Sequence, residues 1–371
     1  MRKVNLEDCC EILDSKRVPI TATNRKSGPY PYYGANGIQD YVADYIFDEE
    51  LVLLAEDGGN FNSTTKPIAY RVSGKCWVNN HAHVLKPLPI IDVDYLCYSL
   101  MFYKVGNLVN GATREKLTQA AMRKMQVHLR PMPEQINIVS TLRKTQRIIA
   151  YRRTQLAKLD ELVKCRFVEM FGDPVLNEKG WTCSQLGDVA NVIGGYAFSS
   201  KQFAAAGIPV LRIGNINTGT FRKENLVFWS EDEKLTKYLI YPGDIVISLT
   251  GTAGKEDYGN VCVMSDDYPK YYLNQRNAVI RPTSCLLPSF LSYYMKSPVI
   301  KRKMTGIERG IRQGNISNSD ITSLRIPMPP IYLQENFTHM VHLIDKLRFV
   351  IQKSLDETQK LFDSLMQEYF D

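Results

Sequence analysis

The stretch EQINIVSTLRKTQRIIAYRRTQLAKLDELVKCRFVEMF, residues 134–171, contains neither glycine nor proline and decides the fold. Its 38 residues would form a helix roughly 57 Å long, which is too long for the core of a small domain. Apolar side chains recur in it at every seventh position, the spacing of a coiled-coil seam, at Leu142, Ile149, Leu156 and Val163. The sequence therefore predicts a long helix that requires a second helix as its partner.

A second stretch of the same kind occupies residues 331–371. Its seam residues, again at seven-residue spacing or multiples of it, are Phe337, Ile344, Ile351 and Leu365. A neighbouring heptad row contains Met340, Leu347 and Leu361. Residues 134–171 carry eight Lys/Arg against four Asp/Glu, whereas residues 333–371 carry four against seven. Because the two stretches match in apolar face and complement each other in charge, they predict an antiparallel coiled coil within one chain.

Composition limits the class of protein. The chain has 371 residues, of which 44% are hydrophobic and 23% charged, as in ordinary globular proteins. No apolar run approaches the roughly 20 residues of a membrane span, and the first residues lack a signal-peptide core. The eight cysteines form no Cys-x-x-Cys pair. We therefore expect a cytoplasmic protein with reduced cysteines, no membrane segment and no metal site.

Five segments of the first half recur in the same order in the second half, about 180 to 200 residues later. The pairs are 4–12 with 184–192, 28–38 with 207–216, 49–59 with 243–252, 76–87 with 271–282, and 111–131 with 310–330. The repeat predicts an α+β domain at 1–133, a long helix at 134–171, a second α+β domain at 172–330 and a second helix at 331–371. Antiparallel pairing of the helices would place the two domains in a pseudo-twofold arrangement.

Positive charge is concentrated at matching places in the two halves. Residues 114–130 and residues 301–312 each hold five Lys/Arg and one acid, within a chain whose formal net charge is +7. Two such clusters indicate two contacts with a polyanion, whereas either cluster alone is equally compatible with a solvated surface.

Catalytic motifs are missing from the sequence. GTAGKED, at 251–257, lacks the Gly-x4-Gly-Lys-Ser/Thr spacing of a phosphate-binding loop. His81 and His83 form an HxH pair that could bind a metal, but no further His or Cys lies at useful spacing, so we expect them in a polar turn or facing DNA. Since no methyltransferase motif, helicase motif or catalytic triad accompanies them, we expect no active site in this chain.

The sequence does offer side chains suited to base edges and phosphates. Asn and Gln can bind adenine bidentately, Arg can bind guanine, and Lys and Thr mostly bind phosphates. In the first half the candidates are Tyr30, Tyr32, Asn36, Asn60, Asn62, Lys66, Asn79, Asn80, His81, Arg114 and Lys116. In the second half they are Arg212, Asn215, Asn217, Thr250, Thr252, Lys255, Asn274, Gln275, Arg276, Arg312, Gln313 and Asn315. For any single residue the alternative is a turn-forming role, so the set is better evidence than its members.

Taken together, the repeat and the helix starts LTQAAMRKMQVHLRPMPEQ (117–135) and ISNSDITSLRIPMPPIYLQ (316–334) resemble the specificity subunits of type I restriction-modification systems. RFVEMFGDP (166–174), at the end of the first helix, adds to the resemblance. It implies two target-recognition domains that read a bipartite, asymmetric site on double-stranded DNA. It also implies two adenine methyltransferase subunits and restriction subunits as partners, with S-adenosylmethionine, ATP and Mg²⁺ bound by those partners and no cofactor in this chain.

Two other classes of function remain open from the residues alone. A coiled-coil scaffold that binds other proteins would explain the long helices but not the duplicated basic clusters. A stand-alone enzyme would require catalytic motifs that the sequence lacks.

Overall fold

The computed structural model describes residues 2–111, 115–251, 257–305 and 314–370. It divides into two compact units, each considered by itself below. Unit 1 comprises Met1–Arg153 with Gln352–Asp371, and unit 2 comprises Thr154–Ile351. Each unit therefore contains part of each long helix, whereas the sequence repeat predicts boundaries at the helix ends.

Unit 1 holds the first set of elements. Its strands are β1 (Arg2–Asn5), β2 (Cys10–Ile12), β3 (Ser27–Gly34), β4 (Gly37–Val42), β5 (Phe47–Asp48), β6 (Leu51–Ala55), β7 (Ala69–Val72), β8 (Lys75–Val78), β9 (Ala82–Pro87), β10 (Val109–Asn110), β11 (Lys116–Leu117) and β12 (Gln126–Leu129). Its helices are α1 (Leu6–Cys9), α2 (Val93–Met101), α3 (Gln119–Arg123) and the first part of α4 (Met132–Phe171), together with the end of the second long helix, residues 352–370.

Two four-stranded sheets form the centre of unit 1. One has the order β2-β9-β6-β7 and is antiparallel, and β6 is buried along its whole length because it lies inside this sheet. The other has the order β4-β3-β8-β5 and contains a parallel pair, β3 with β8. The small sheets β1-β12 and β10-β11 complete the unit.

Unit 2 contains the next set. Its strands are β13 (Cys183–Gln185), β14 (Ala190–Gly194), β15 (Ile208–Leu211), β16 (Val227–Trp229), β17 (Leu239–Ile240), β18 (Ile245–Ser248), β19 (Val261–Val263), β20 (Tyr271–Leu273), β21 (Asn277–Pro282) and β22 (Arg325–Pro327). Its helices, besides the end of α4, are α5 (Leu186–Val189), α6 (Pro288–Lys296), α7 (Pro298–Thr305), α8 (Asn318–Thr322) and the first part of α9 (Ile331–Phe370).

The two units share one topology. Unit 2 has sheets β14-β21-β18-β19, β16-β15-β20-β17 and β13-β22, which match three sheets of unit 1 strand for strand. Its parallel pair β15 with β20 corresponds to β3 with β8, and Val210 opposite Tyr272 takes the place of Tyr32 opposite Trp77. The predicted internal repeat and the α+β class are therefore confirmed.

The two long helices, α4 and α9, are each 40 residues long. Helix α4 starts two residues before the predicted position, because proline is tolerated in the first turn of a helix. It ends as predicted, at a left-handed Gly172 with φ of 83°, whose N–H donates to the carbonyl of Val168 at 2.8 Å.

Each unit contains a packed pair of helix segments. In unit 1, Ile138, Leu142 and Ile149 of α4 belong to the same core as Phe362 of α9. In unit 2, the Phe337 ring lies 5.4 Å from Phe167 and 5.5 Å from Phe171. Arg348 forms an ion pair with Asp160 at 2.6 Å in the same unit. Asp160 precedes Phe167 on α4, whereas Arg348, the partner of Asp160, follows Phe337 on α9. The helix segments of unit 2 therefore run antiparallel, as predicted.

The predicted seam is largely buried. Leu142, Ile149, Val163, Phe337 and Ile344 are buried, and the members that are only partly buried are Leu156, Ile351 and Leu365.

The prediction of the neighbouring heptad row on α9 is partly wrong, since Leu347 and Leu361 are each 52% exposed. The buried face follows Phe337 and Ile344, seven residues apart, and Val341 and Phe362, 21 residues apart. The heptad spacing therefore holds, and the second buried row begins one position later than predicted.

One buried glutamine anchors the start of each long helix. Gln135 accepts a hydrogen bond from the N–H of Asp92 at 2.8 Å and donates to the carbonyls of Ile90 and Arg130. Gln334 accepts from the N–H of Leu287 at 2.8 Å and donates to two carbonyls in the same way. Both glutamines are fully buried. Each side-chain oxygen accepts from the residue at the N-cap of a short helix earlier in the same unit, α2 for Gln135 and α6 for Gln334.

The other global expectations concern cysteines and membranes. All eight cysteines are free, and five of them are buried: Cys9, Cys10, Cys76, Cys97 and Cys262. Within the described ranges, no helix combines the length and the apolar character that crossing a membrane requires.

Candidate nucleic-acid interface

In unit 2 the predicted contact residues converge because two strands run parallel. β15 and β20 pair in parallel with Leu211 opposite Leu273, so the loops that follow them leave the sheet side by side. The N–H of Asn274 donates to the carbonyl of Leu211 at 3.2 Å, which joins the two loops. Arg212 and Asn274 are separated by 62 positions in sequence, yet they begin neighbouring loops.

These loops enclose an open cavity of about 650 Å³, within the range of roughly 300–1,000 Å³ found for ligand sites. Its charged lining is three arginines and one carboxylate, and two aromatic rings contribute apolar walls. The side chains that characterise it are Arg212, Arg222, Arg276, Glu224, Phe198 and Phe203. The cavity is therefore cationic and partly aromatic, a composition suited to nucleotides.

Two predicted contact residues of unit 2 position this cavity instead of facing a ligand. Asn215 is 2% exposed; its amide nitrogen donates to the carbonyls of Arg222 and Glu224, and its oxygen accepts from the N–H of Arg212. Asn274 is also buried, and its side-chain oxygen accepts from the N–H of Arg276 at 3.4 Å. Their predicted role as base contacts is corrected, because their hydrogen-bonding atoms hold the loops together.

The remaining predictions in unit 2 fall in three places. Asn217 is partly buried and accepts from the side chain of Asn260, which also accepts from Lys301 at 2.8 Å. Thr250 and Asn315 are brought together by an antiparallel bridge. The candidates that lie outside the described residues, together with Arg114 of the first half, are Thr252, Lys255, Arg312 and Gln313.

In unit 1 one aromatic candidate is corrected as well. Tyr32 is 1% exposed, and its hydroxyl accepts a hydrogen bond from the N–H of Ile20 at 3.0 Å. The guanidinium of Arg25 lies 4.2 Å from the centre of its ring. The Tyr32 ring is thus part of the core. Tyr30 remains half-buried, with its ring 5.1 Å from that of Tyr45.

Amide side chains form a cluster at the surface of unit 1. The amide of Asn60 donates to the Asn36 side chain at 3.1 Å, and the amide of Asn36 donates to the carbonyl of Gly58 at 3.0 Å. Asn62 donates to both carboxylate oxygens of Glu115 at 3.1 Å. Lys66, a further candidate on this surface, is exposed. The structure thus brings together Asn36 and Asn60 as predicted from their turn positions.

The turn after β8 corresponds to the turn after β20. Asn79 is buried, donates to Gln39 at 3.0 Å and accepts from the N–H of His81, so its predicted base contact is corrected to a positioning role. Asn80 is exposed. The ring of His81 lies 2.6 Å from a carboxylate oxygen of Asp57. Where unit 2 presents arginine, unit 1 therefore presents a histidine paired with a carboxylate.

The second histidine of the HxH pair belongs to a buried ion-pair network. Nδ1 of His83 lies 2.6 Å from Asp14, and its Nε2 lies 2.8 Å from the carbonyl of Leu117. Glu56 is bound by Arg17 at 2.6 Å and by Lys116 at 3.1 Å.

Among the described residues, Asp14, Glu56 and His83 are the one group with spacing suited to a metal. Arg17 and Lys116 already occupy its oxygens, so the group is better explained by ion pairing.

Asp14 shows how this network is balanced. Burial pushes the pKa of its carboxyl upward, but hydrogen bonds from His83, the N–H of Val84 and Gln119 outweigh burial, and the pKa lies below its ordinary value. The ionised form is therefore stabilised inside unit 1. Lys116, predicted as a phosphate contact, is half-exposed, and its ion pair with Glu56 neutralises part of its charge.

Sequence reasoning missed several residues of the cavity in unit 2. Phe198, Phe203 and Arg222 lie in loops of ordinary composition, and no motif distinguishes them. Arg222 could have been found only as a basic residue in a turn, within TFRKEN at 220–225.

Comparison with known proteins gives the same family over both halves. The family described as "Type I restriction modification DNA specificity domain" matches residues 1–161 and again 178–358. A putative type I restriction enzyme specificity subunit from Haemophilus influenzae is 28% identical, over 96% of this chain and 92% of that protein. The type I restriction enzyme MjaVIII specificity subunit from Methanocaldococcus jannaschii is 22% identical, over 98% of this chain and 90% of that protein.

A solved structure agrees with the fold. The S subunit of a type I restriction-modification system from M. genitalium superposes with a TM-score of 0.65 at 14% identity, covering 100% of this chain and 96% of that one. Since the family match covers most of both units, this chain belongs to the type I restriction-modification DNA specificity family.

Proposed function

We propose that this chain is the DNA-reading subunit of a type I restriction-modification complex and has no catalytic activity of its own. The observation that carries the proposal is the duplicated unit with different side chains at matching loops. A protein that presents two unlike surfaces on one repeated framework is suited to a bipartite, asymmetric DNA site. Unit 2 would read one half-site and unit 1 the other.

The chemistry of the two surfaces supports DNA as the ligand. Arginines around the cavity of unit 2 can contact phosphates and guanine. In unit 1 the exposed amides of Asn36 and Asn80 and the half-buried amide of Asn60 can contact adenine edges. S-adenosylmethionine, ATP and Mg²⁺ would be bound by the partner subunits, which supply methylation, translocation and cleavage.

An apolar stripe on α9 supports docking of a modification subunit. Leu343, Leu347 and Val350 recur at i, i+4 and i+7 and are all exposed in unit 2. A contiguous exposed apolar row on a helix is typical of a protein–protein interface. Restriction subunits would join the assembly through the modification subunits or beside them.

Mapping of methylated adenines tests the reading function. Deletion of the gene should remove methylation from one split motif whose two halves differ in sequence and are separated by a fixed spacer. Substitutions on the surface of unit 2 should alter one half only. Unchanged methylation after deletion, or absence of DNA binding by the complex assembled with its modification subunits, would contradict the proposal and favour a protein scaffold.

The docking surface is tested with Leu347→Glu. This exposed substitution should leave stability within about 0.5 kcal/mol but weaken the affinity for modification subunits at least tenfold, measured by titration calorimetry. Val263→Glu, an apolar-to-acid change at an exposed position of β19, is the matched control. Equal effects of the two variants would remove the stripe from the proposed interface.

A further inference from the structure

The turn between β20 and β21 is held rigidly while its two outermost side chains have no bonded neighbour. The N–H of Gln275 donates to the carbonyl of Tyr196 at 2.9 Å, and the carbonyl of Arg276 accepts from the N–H of Leu249 at 2.8 Å. The N–H of Asn277 closes the turn on the carbonyl of Asn274 at 2.9 Å. The Gln275 and Arg276 side chains are exposed and have no hydrogen-bond partner in the described part of the chain.

The other arginines of the cavity differ from Arg276. Arg212 donates to the carbonyl of Asn225, and its guanidinium lies 6.0 Å from the centre of the Phe203 ring. Its position is therefore fixed by the protein. Arg222 lies on an exposed loop that is attached to the sheet through Asn215. Of the three, Arg276 combines a backbone fixed on both sides with a guanidinium that has no hydrogen-bond partner among the residues that the structure describes.

Contacts with DNA phosphates and contacts with DNA bases place different demands on an arginine. A phosphate can be held by a mobile side chain, because only charge and approximate distance matter. Bidentate contact with a base requires a planar fork in a fixed place, and the guanidinium of arginine matches O6 and N7 of guanine. Arg222 can meet the phosphate requirement. Arg276 extends from a fixed backbone and its guanidinium makes no bond to the described residues, so both arms of its fork are available to be fixed by a base.

We propose that Arg276 reads a guanine in the half-site bound by unit 2, with its cavity taking the major-groove edge of that base. This inference rests on the proposed DNA-reading function and names one base that it recognises. The corresponding residue of unit 1, His81, is bound to Asp57 at 2.6 Å, so this contact belongs to unit 2 alone. The two half-sites would therefore differ at the matching position.

Methylation mapping with the assembled methyltransferase complex tests the proposal. Arg276→Ala should relax one guanine of one half-site to any base, with discrimination at that position lowered about 5- to 150-fold. Arg276→Lys keeps the charge without the fork and should give an intermediate loss. Arg325→Ala, which removes an exposed arginine from β22 in the same unit, is the matched control and should leave the motif unchanged.

A modified base gives a sharper test. In competition binding, a duplex with 7-deazaguanine at that position lacks the N7 acceptor and should bind the wild-type complex about tenfold more weakly or worse. The same duplex and its guanine counterpart should bind the Arg276→Ala complex equally. Additive effects of the two changes would overturn the proposal, since they would show that Arg276 and N7 do not interact.

Other outcomes distinguish guanine reading by Arg276 from the proposed DNA-reading function on which it rests. A uniform loss of binding to all sequences in Arg276→Ala, with a smaller salt slope, would make Arg276 a phosphate contact and overturn guanine reading while leaving the DNA-reading function intact. A wild-type complex with no sequence preference would overturn both. Circular dichroism and assembly with the modification subunits establish that each variant is folded.

Discussion

Unit 1 and unit 2 are built on the same strands but differ in the groups that those strands support. In the sheet interior, His83 of β9 pairs opposite Leu54, and the matching position of β21, opposite Ile247, is Ala278. Unit 1 thus contains a buried histidine in contact with a carboxylate where unit 2 contains a methyl group. At the surface, unit 1 presents His81 in contact with the carboxylate of Asp57. At the matching position unit 2 presents Arg276, whose guanidinium has no hydrogen-bond partner among the described residues.

Comparison of the two units shows which residues their shared fold requires. The glutamines that anchor the long helices, the parallel strand pair and the buried asparagines Asn79 and Asn274 occur in both units, since each satisfies backbone groups that the topology leaves open. Side chains that leave the sheet at the turns carry no such requirement. The surface can therefore differ between the two units without loss of the fold.

The largest expected effect on stability comes from removing one buried aromatic ring from each unit. Phe337→Ala should lower the stability of unit 2 by about 3–5 kcal/mol, because a fully buried ring against Phe167 and Phe171 leaves a cavity. Phe362→Ala should do the same for unit 1. Phe349→Ala, at a position 72% exposed, is the control and should change stability by less than about 0.5 kcal/mol.

Urea unfolding followed by tryptophan fluorescence and circular dichroism would resolve these effects. If both alanine variants shifted a single common transition equally, the units would unfold together and could not be compared separately.

The shared glutamines give the next test. Gln334→Ala removes a buried side chain and leaves the partly buried N–H of Leu287 without its acceptor, and Gln135→Ala does the same to Asp92. Each change should cost about 1–3 kcal/mol, measured by the same unfolding experiment. Glu335→Ala, which alters an exposed neighbour, serves as the control. A large loss for one glutamine with none for the other would break the equivalence of the two units.

Acid should affect unit 1 through Asp14. Because the folded pKa of Asp14 lies below the ordinary 3.8, its contribution to stability is fully present above that pH and is lost as pH falls through the folded value. In unit 2, Lys223 lowers the pKa of Asp267, but this pair is largely exposed and solvent screens it. Unit 1 should therefore lose more stability below about pH 3.8.

Asp14→Asn provides the comparison for that experiment. The variant should be less stable than wild type at neutral pH and should show a weaker dependence of unit 1 stability on acid, measured by urea unfolding at a series of pH values. An unchanged acid dependence would show that the Asp14 carboxyl does not carry the effect.

The smallest expected effect concerns salt. Arg222→Ala should reduce the slope of log affinity against log salt concentration by about one, the loss of one phosphate contact. Lys116→Ala should reduce it by less, because part of the charge of Lys116 is neutralised by Glu56 within unit 1. Filter binding of DNA by the assembled complex measures both slopes. A larger reduction in Lys116→Ala than in Arg222→Ala would show that the ion pair with Glu56 does not weaken the contact of Lys116 with DNA.

Much of the architecture could be predicted from periodicity alone. The long helices were predicted within two residues at their starts, and the repeat was predicted segment by segment, because apolar spacing and glycine turns are local signals. Roles of single residues were harder. Tyr32, within YPYYG, is predicted at the surface, yet its ring is buried and the guanidinium of Arg25 lies over it.

By itself, the sequence determined that two similar α+β units each lead into a long helix, since hydrophobic period and turn residues act within a few positions. Only the tertiary structure decided that Arg212, Arg222 and Arg276 surround one cavity and that Asn215 supports it from within. The physical reason is the parallel pairing of β15 with β20, which brings together loops that are far apart along the chain. Burial then determines which of their polar side chains hold the protein and which are left for a ligand.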